Sequence, residues 1–215
     1  MSKQKKPMKP MKPISGLYKV VKFTLTYPVR FLCRMKVRGA ENEPTPDKGT
    51  YLVIANHRTW ADPIYLCCAL KHQQPHFMAK KELFKIPLLN ILIRALGAYP
   101  VNRGGGDVGV VRRTINMLKE GVCVGMFPQG HRYNKVDPRT TPIKSGAAMI
   151  ALKAGVQVLP VFVKVKNNKH FFLCRKEVIV GKPVSIEEMN YDPEAPGEYQ
   201  RIAELLFERV CELGD

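Results

Sequence analysis

The chain has 215 residues and a formal net charge of +17, and no break in it is long enough to separate two core-forming domains, so one folded domain is expected. Its six cysteines show no metal-type pairing, and most lie inside apolar runs, which indicates reduced core residues and no metal site. His72 and His76 are four apart, but Pro75 between them is incompatible with a helical ligand pair.

The positive charge is concentrated at the amino terminus. Residues 1–40 contain 11 Lys and Arg and no acidic residue, so the remaining 175 residues carry 24 basic and 18 acidic residues, a net +6. This distribution predicts a basic arm over residues 1–40 and a mildly basic domain over residues 41–215.

Apolar side chains recur at helical spacing in the second half of this arm: Ile14, Leu17, Tyr18, Val21, Leu25 and Leu32. The charges and Pro28 disfavour a transmembrane span, which needs about 20 mostly apolar residues. A basic amphipathic helix behind a polybasic tail favours an anionic phospholipid surface, so a peripheral, monotopic position on the cytoplasmic face of the cell membrane is predicted. The alternative is that the apolar face packs on the domain. Nucleic acid is disfavoured as a partner, because few aromatics interleave with the charges and no nucleic-acid motif follows.

From residue 33 onward, short apolar runs alternate with helical patterns. The predicted strands cover residues 33–38, 51–55, 76–79, 97–102, 122–127, 157–163 and 171–180. The predicted helices cover residues 63–71, 87–96, 108–120, 145–154 and 199–213. This alternation predicts an α/β fold with a largely parallel central sheet of about seven strands and helices on both faces, preceded by the N-terminal amphipathic helix.

The strand at residues 51–55 leads into a polar turn that carries His57. Asp62-Pro63 then signals a helix start, with Asp62 as the predicted N-cap and Pro63 at the first helical position. Ligands of open α/β sheets bind at the carboxyl ends of strands, so His57 and Asp62 are candidates for chemistry. A solvated loop histidine and a purely capping aspartate are the alternative interpretation.

Two further predicted strands also end in polar turns. Arg103 follows the strand at residues 97–102, and its planar guanidinium suits a phosphate, although a flexible loop with a solvated Arg is the alternative. The strand at residues 122–127 runs into a turn that contains Pro128, Gln129, Gly130, His131 and Arg132. Three strand ends that deliver polar groups to one edge of a sheet favour a shared site.

These segments occur in a recognisable order: Asn56-His57-x4-Asp62, Arg103 at a strand end, Phe127-Pro128-x-Gly130, and Leu159-Pro160-Val161. In them the chain resembles the glycerolipid acyltransferase family, and within it the bacterial 1-acylglycerol-3-phosphate (lysophosphatidic acid) acyltransferases, over about residues 35–185. The resemblance implies a glycerol-3-phosphate acyltransferase-like fold. It also implies transfer of a fatty acyl group from acyl carrier protein or coenzyme A to the sn-2 hydroxyl of lysophosphatidic acid, without a further cofactor.

The resemblance also implies roles for individual residues. His57 would act as general base on the acceptor hydroxyl, while Asp62 holds the imidazole tautomer. Arg103 would bind the acceptor phosphate. The remaining candidate substrate-binding residues are Asn56, Lys80, Phe127, Pro128, Gln129, Gly130, His131 and Arg132.

The chain departs from the family pattern at two of these positions. The family usually has Glu where this chain has Gln129, and Thr or Ser where it has His131. Glutamine keeps an acceptor oxygen but loses the charge, and ionic hydrogen bonds are roughly twice as strong as neutral ones. Another lysophospholipid or amphiphile as acceptor and a non-catalytic lipid-binding relative are therefore alternatives to lysophosphatidic acid acylation. A nucleic-acid-binding protein that uses the basic residues 1–40 is a further alternative.

Overall fold

The computed structural model describes residues 15–101, 108–165 and 175–215. Seven strands in these ranges form the sheet: β1 (Lys36–Arg38), β2 (Tyr51–Ala55), β3 (His76–Lys80), β4 (Tyr99–Val101), β5 (Val124–Met126), β6 (Gln157–Val165) and β7 (Lys176–Val180). The α-helices described are α1 (Gly16–Leu32), α2 (Asp62–Ala69), α3 (Pro87–Ala95), α4 (Val108–Lys119), α5 (Gly146–Ala154) and α6 (Glu198–Glu212).

The strands form a single sheet in the order β1-β7-β6-β2-β5-β3-β4. Each neighbouring pair is parallel except β6 and β7, which are antiparallel. The predicted α/β fold with a largely parallel sheet of about seven strands is therefore confirmed. Because β2, β3, β4 and β5 are parallel, their carboxyl ends lie at one edge of the sheet.

Strand β2 lies inside the sheet and matches its predicted bounds. It pairs with β5 on one side and β6 on the other, and all five of its residues are buried. A strand covered by helices on both faces requires a continuous apolar run, and the run Tyr51–Ala55 provides one. One core cluster joins α1 and α2 to the sheet, and a second cluster joins α4, α5 and α6 to it, so helices cover both faces as predicted.

Three strands begin later than predicted for a common physical reason. The N–H groups of Met35, Ala98 and Val122 each donate to the carbonyl oxygen five residues earlier, which closes the carboxyl ends of α1, α3 and α4. The residue before each of them has a positive φ, which turns the chain out of the helix. As a result β1, β4 and β5 start two or three residues after the predicted positions. Residue 102 and residues 171–174, which the strand predictions include, lie outside the described residues.

Helix α1 is apolar on two faces, whereas the sequence predicted one. Tyr18 and Val29 on the inner face are buried in the core, with Val21 and Leu25 packed against them. Ser15 caps the helix, since its hydroxyl oxygen accepts from the N–H of Tyr18 at 3.2 Å. Of the residues that predicted membrane contact, Tyr18, Val21 and Leu25 pack on the domain, Leu17 and Leu32 are exposed, and Ile14 lies outside the described residues.

A second row of apolar side chains on α1 points outward: Leu17, Val20, Phe23, Tyr27 and Phe31, which are 62–82% exposed. Strand β1, also inside the predicted arm of residues 1–40, pairs with β7 in the sheet. The folded core thus includes α1 and β1, and the predicted boundary after residue 40 does not mark its edge. None of the helices in the described ranges is long and apolar enough to cross a membrane.

Candidate functional site

The edge of the sheet after β2 brings His57 and Asp62 together. The Nδ1 atom of His57 lies 2.9 Å from Oδ2 of Asp62. The Asp62 side chain is fully buried, while that of His57 is 13% exposed. An ionised carboxylate only accepts hydrogen bonds, so Nδ1 carries the proton, and Nε2 of neutral His57 is left with its lone pair. A histidine held in this way by a carboxylate has the geometry that general base catalysis requires.

The loop between His57 and Asp62 folds back onto the Asp62 carboxylate. Oδ2 also accepts from the N–H groups of Arg58 and Thr59, each at 2.7 Å, and Oδ1 accepts from the Thr59 hydroxyl at 2.7 Å. The predicted N-cap role of Asp62 was wrong: Ala61 is the N-cap and Asp62 begins α2. The carboxylate is used by the preceding loop, so it holds the imidazole and the loop backbone at once.

Phe127, the first residue after β5, stacks on the imidazole of His57. The ring centroids are 4.1 Å apart and the planes differ by 16°. Phe77 of β3 stacks in turn on Phe127 at 5.7 Å. Gly125 lies opposite Phe77 in the sheet, and a Cβ there would come within 2.1 Å of the Phe77 ring. The glycine therefore makes room for the ring that supports Phe127.

Gln129 is buried, and the protein itself uses both ends of its side-chain amide. Oε1 accepts from the backbone N–H of His57 at 2.6 Å, and Nε2 donates to Oγ1 of Thr141 at 2.7 Å. Both ends of the Gln129 amide therefore bond protein groups, and its predicted contact with substrate stays a prediction. Sequence reasoning did not identify Thr141, which lies on a segment without a family motif.

Asn56 is also buried and held by the protein. Its side-chain nitrogen donates to the Val163 carbonyl at 3.1 Å, and its oxygen accepts from the Val163 N–H at 2.7 Å. This pairing continues the β2–β6 ladder one step beyond the end of β2. These bonds fix the backbone immediately before His57, and the predicted substrate contact of Asn56 stays a prediction.

The charged candidates lie at or near the same edge but on the surface. Lys80 is exposed at the carboxyl end of β3, and His131 and Arg132 are exposed in the loop that follows β5. Arg103 lies outside the described residues, so its predicted contact with phosphate stays a prediction.

The turn Phe127–Gly130 is closed by backbone hydrogen bonds. The N–H of Gly130 donates to the Phe127 carbonyl at 3.0 Å, and the N–H of Lys144 donates to the Pro128 carbonyl at 3.0 Å. Gly130 has φ of 69°, which favours glycine, and a Cβ there would lie 3.0 Å from the aliphatic part of Lys144. The turn therefore depends on glycine at this position.

Arg58 and Thr59 are two site residues that the sequence analysis missed. Burial lowers the pKa of the Arg58 guanidinium, while the Asp62 and Asp137 carboxylates oppose this shift. The Arg58 guanidinium lies 6.0 Å from the centroid of the Phe162 ring. A Thr three residues before an Asp at a helix start is the local signal that could have identified Thr59.

Comparisons with known proteins identify relatives of this chain. A family model described as acyltransferase matches residues 34–164, which is more than half of the chain. The 1-acyl-sn-glycerol-3-phosphate acyltransferase of Streptococcus pneumoniae is 35% identical over 149 residues, which cover 68% of this chain and 54% of that protein. The Bacillus subtilis protein of the same name is 30% identical over 181 residues, which cover 83% of this chain and 87% of that protein.

The fold also matches a solved structure. The 1-acyl-sn-glycerophosphate (LPA) acyltransferase PlsC from Thermotoga maritima superposes with a TM-score of 0.68 at 27% sequence identity, over 91% of this chain and 79% of that chain. The chain spans about half the length of the Streptococcus pneumoniae relative and most of the Bacillus subtilis relative.

Proposed function

The chain belongs to the acyltransferase family, and from that premise we propose that it transfers a fatty acyl group from an acyl thioester to the sn-2 hydroxyl of lysophosphatidic acid. The product is phosphatidic acid, and the donor is acyl carrier protein or coenzyme A in thioester linkage. The observation that carries the proposal is the His57–Asp62 pair at the carboxyl end of β2, in which Nδ1 lies 2.9 Å from Oδ2 and Nε2 faces away from the carboxylate.

The reaction needs no nucleophile from the protein, because the acceptor hydroxyl attacks directly. Nε2 of His57 takes the hydroxyl proton as the oxygen bonds to the thioester carbonyl carbon. The tetrahedral intermediate then collapses, the C–S bond breaks, and the imidazolium returns the proton to the departing thiolate. Asp62 stabilises the imidazolium between these steps. General base catalysis of this kind contributes roughly 10²–10⁴-fold to the rate.

An anionic acceptor suits the charges that follow the parallel strands. Lys80 is the last residue of β3, Arg103 comes after β4 in the sequence, and Arg132 lies in the loop after β5. Arginine binds phosphate in a bidentate manner and lysine binds it as a point charge. We assign the phosphate of the acceptor to this group, with Arg103 as its main ligand.

The acceptor is an amphiphile, and we propose that the enzyme takes it from the cytoplasmic face of the membrane. The outward face of α1 carries three exposed aromatic rings, Phe23, Tyr27 and Phe31. Helix α3 contacts α1 and adds exposed Leu88 and Ile91 to the same region. Exposed apolar area of this extent on a basic protein favours an anionic bilayer.

The test measures thiol release from acyl-coenzyme A and from acyl carrier protein, with lysophosphatidic acid as acceptor. The protein is compared with His57→Ala and with His72→Ala, a matched histidine outside the site. Release that needs both the acceptor and His57, and that His72→Ala retains, is the expected result. Release only with a different lysolipid would replace the proposed acceptor. No release with any acceptor would overturn the enzyme proposal in favour of a lipid-binding relative.

A further inference from the structure

The backbone of His57 is held on both sides by the segment that follows β5. Its N–H donates to Oε1 of Gln129 at 2.6 Å, and its carbonyl accepts from the N–H of Tyr133 at 2.8 Å. Asp62 controls the orientation of the ring, whereas these two bonds control where the residue itself lies. The position of Nε2 therefore depends on Gln129 as well as on Asp62.

The hydrogen bonds around position 129 match an amide whose oxygen faces His57 and whose nitrogen faces Thr141. The backbone N–H of His57 is a donor only, so the atom that faces it must be the amide oxygen. The hydroxyl of Thr141 gives its own proton to the Pro138 carbonyl at 2.6 Å, which leaves Oγ1 as an acceptor. The Nε2 group of Gln129 supplies the proton that Oγ1 accepts, at 2.7 Å.

A carboxylate at position 129 has no proton to offer Thr141. The threonine hydroxyl would have to turn toward the carboxylate and give up its bond to the Pro138 carbonyl, which would keep only the bond from the backbone N–H of Thr141 at 3.1 Å. The loss of one such hydrogen bond costs about 0.5–1.5 kcal/mol. Gln129 and Thr141 are thus chemically matched, and both are buried, at 2% and 7% exposure.

We propose that Gln129 is a positioning residue that fixes the His57 backbone through Thr141, and that it does not contact the acceptor. The inference rests on the proposed acyltransferase function. On this proposal, glutamine in place of glutamate at position 129 affects how the base His57 is held. Acceptor specificity then depends on the charged residues at the strand ends. Misplacement of a reacting group by about 1 Å costs roughly 10²-fold in rate.

The kinetic test compares Gln129→Ala, Thr141→Val and Thr141→Ser with the unmodified protein. We expect Gln129→Ala and Thr141→Val each to lower kcat by roughly 10- to 100-fold while the KM for lysophosphatidic acid stays within about twofold. Thr141→Ser keeps the hydroxyl and should retain activity. Thr140→Val is the matched control, because the Thr140 hydroxyl also bonds a main-chain carbonyl in the same turn but faces solvent. It should change neither constant.

The double variant Gln129→Ala/Thr141→Val shows whether Gln129 and Thr141 act as one unit or independently. Residues that act as one unit give non-additive losses, so the double variant should be little worse than Gln129→Ala alone. A raised KM with unchanged kcat in Gln129→Ala would overturn the inference and restore the substrate contact. Full activity of Thr141→Val would also overturn it.

A second measurement does not depend on turnover. Hydrogen exchange of the His57 backbone amide, followed by NMR on folded protein, should be slow in the unmodified protein and in Thr141→Ser. It should be faster in Gln129→Ala and intermediate in Thr141→Val. Unchanged exchange in Gln129→Ala would refute the positioning role, even if no acceptor were turned over. A slowly exchanging His57 amide in an unmodified protein that turns over no acceptor would refute only the acyltransferase function.

Discussion

Replacing Asp62 by Asn removes one charge from the site while nearly conserving its shape. Oδ2 accepts three hydrogen bonds, from Nδ1 of His57 and the N–H groups of Arg58 and Thr59, and Oδ1 accepts one from the Thr59 hydroxyl. The amide oxygen of Asn can occupy the Oδ2 position, because the opposite orientation would set NH₂ against three donors. The Thr59 hydroxyl can then turn and accept from the NH₂ group.

Most of the fold should therefore survive, with a loss in unfolding free energy of about 1–3 kcal/mol for the weakened bonds to a buried charge. The activity should suffer far more, because the imidazolium loses its counter-charge. By analogy with serine-hydrolase triads, in which this substitution lowers kcat by about 10⁴-fold, we expect a fall of roughly 10²–10⁴-fold. Initial rates of thiol release at saturating acceptor and urea unfolding measure the two effects on the same sample.

Thr59→Val is the matched control for this experiment. Valine keeps the shape and the backbone N–H that donates to Asp62 but removes the hydroxyl bond, so only the structural part of the perturbation remains. We expect it to lose stability by a similar amount and to keep most of its kcat. A kcat of Asp62→Asn within threefold of the unmodified protein would refute the role of the charge. Equal kcat losses in both variants would reduce Asp62 to a structural residue.

Three further predictions concern the surroundings of the site. The double variant Phe23→Ser/Phe31→Ser should bind phosphatidylglycerol vesicles at least tenfold more weakly in a sedimentation assay, since burying one such ring contributes about 1.5–3 kcal/mol. Equal binding would show that α1 does not contact the membrane. Gly125→Ala sets a methyl group 2.1 Å from the Phe77 ring and should lower the unfolding free energy by about 1–3 kcal/mol. Gly146→Ala is the control, because open space surrounds that position, and it should not lower the unfolding free energy. Equal stabilities of the two variants would contradict the packing argument. Burial raises the pKa of Cys67 to about 12, so above pH 9 the folded thiol keeps its proton while the unfolded one loses it. This thiol alone should lower the unfolding free energy by at most about 1.4 kcal/mol per pH unit above pH 9, and the buried thiols of Cys68 and Cys123 add to the fall, so Cys67→Ala should show a shallower fall in urea titrations at pH 9 and 10.

The sequence predicted the reactive pair because its signals are local. A buried strand, a polar turn and an Asp-Pro helix start lie within thirteen residues, and the periodicity of 51–55 gives the strand bounds directly. The role of Gln129 has no such signal. Its partner His57 is 72 positions away, and Thr141 lies on a separate turn, so only the folded chain reveals which donor faces which acceptor.

The strand starts were predicted too early for a related reason. Apolar residues after a helix are equally compatible with a strand and with the hydrophobic closure of the helix end, and periodicity alone does not distinguish the two. Hydrogen bonds to the helix decide the matter at Met35, Ala98 and Val122. The end of α5 has the same bond, from the N–H of Val156 to the Ala151 carbonyl at 3.2 Å, and β6 begins at the predicted residue because that prediction started two residues after Gly155.

Helix α1 links the proposed membrane contact to the catalytic pair through rigid packing. Lys22 donates to the Leu70 carbonyl at the carboxyl end of α2, and Arg30 donates to the Cys68 carbonyl at 3.5 Å, so two basic side chains of α1 satisfy the end of α2. The other end of α2 begins with Asp62, which holds the His57 ring. Insertion of the outward face of α1 into a bilayer, as proposed, would hold His57 at a fixed depth relative to the lipid, because α1 packs on α2 and Asp62 of α2 bonds the His57 ring. Acceptors whose hydroxyl lies at that depth would be acylated without leaving the membrane, and the same packing explains why deletion of α1 would disrupt the core along with any membrane contact.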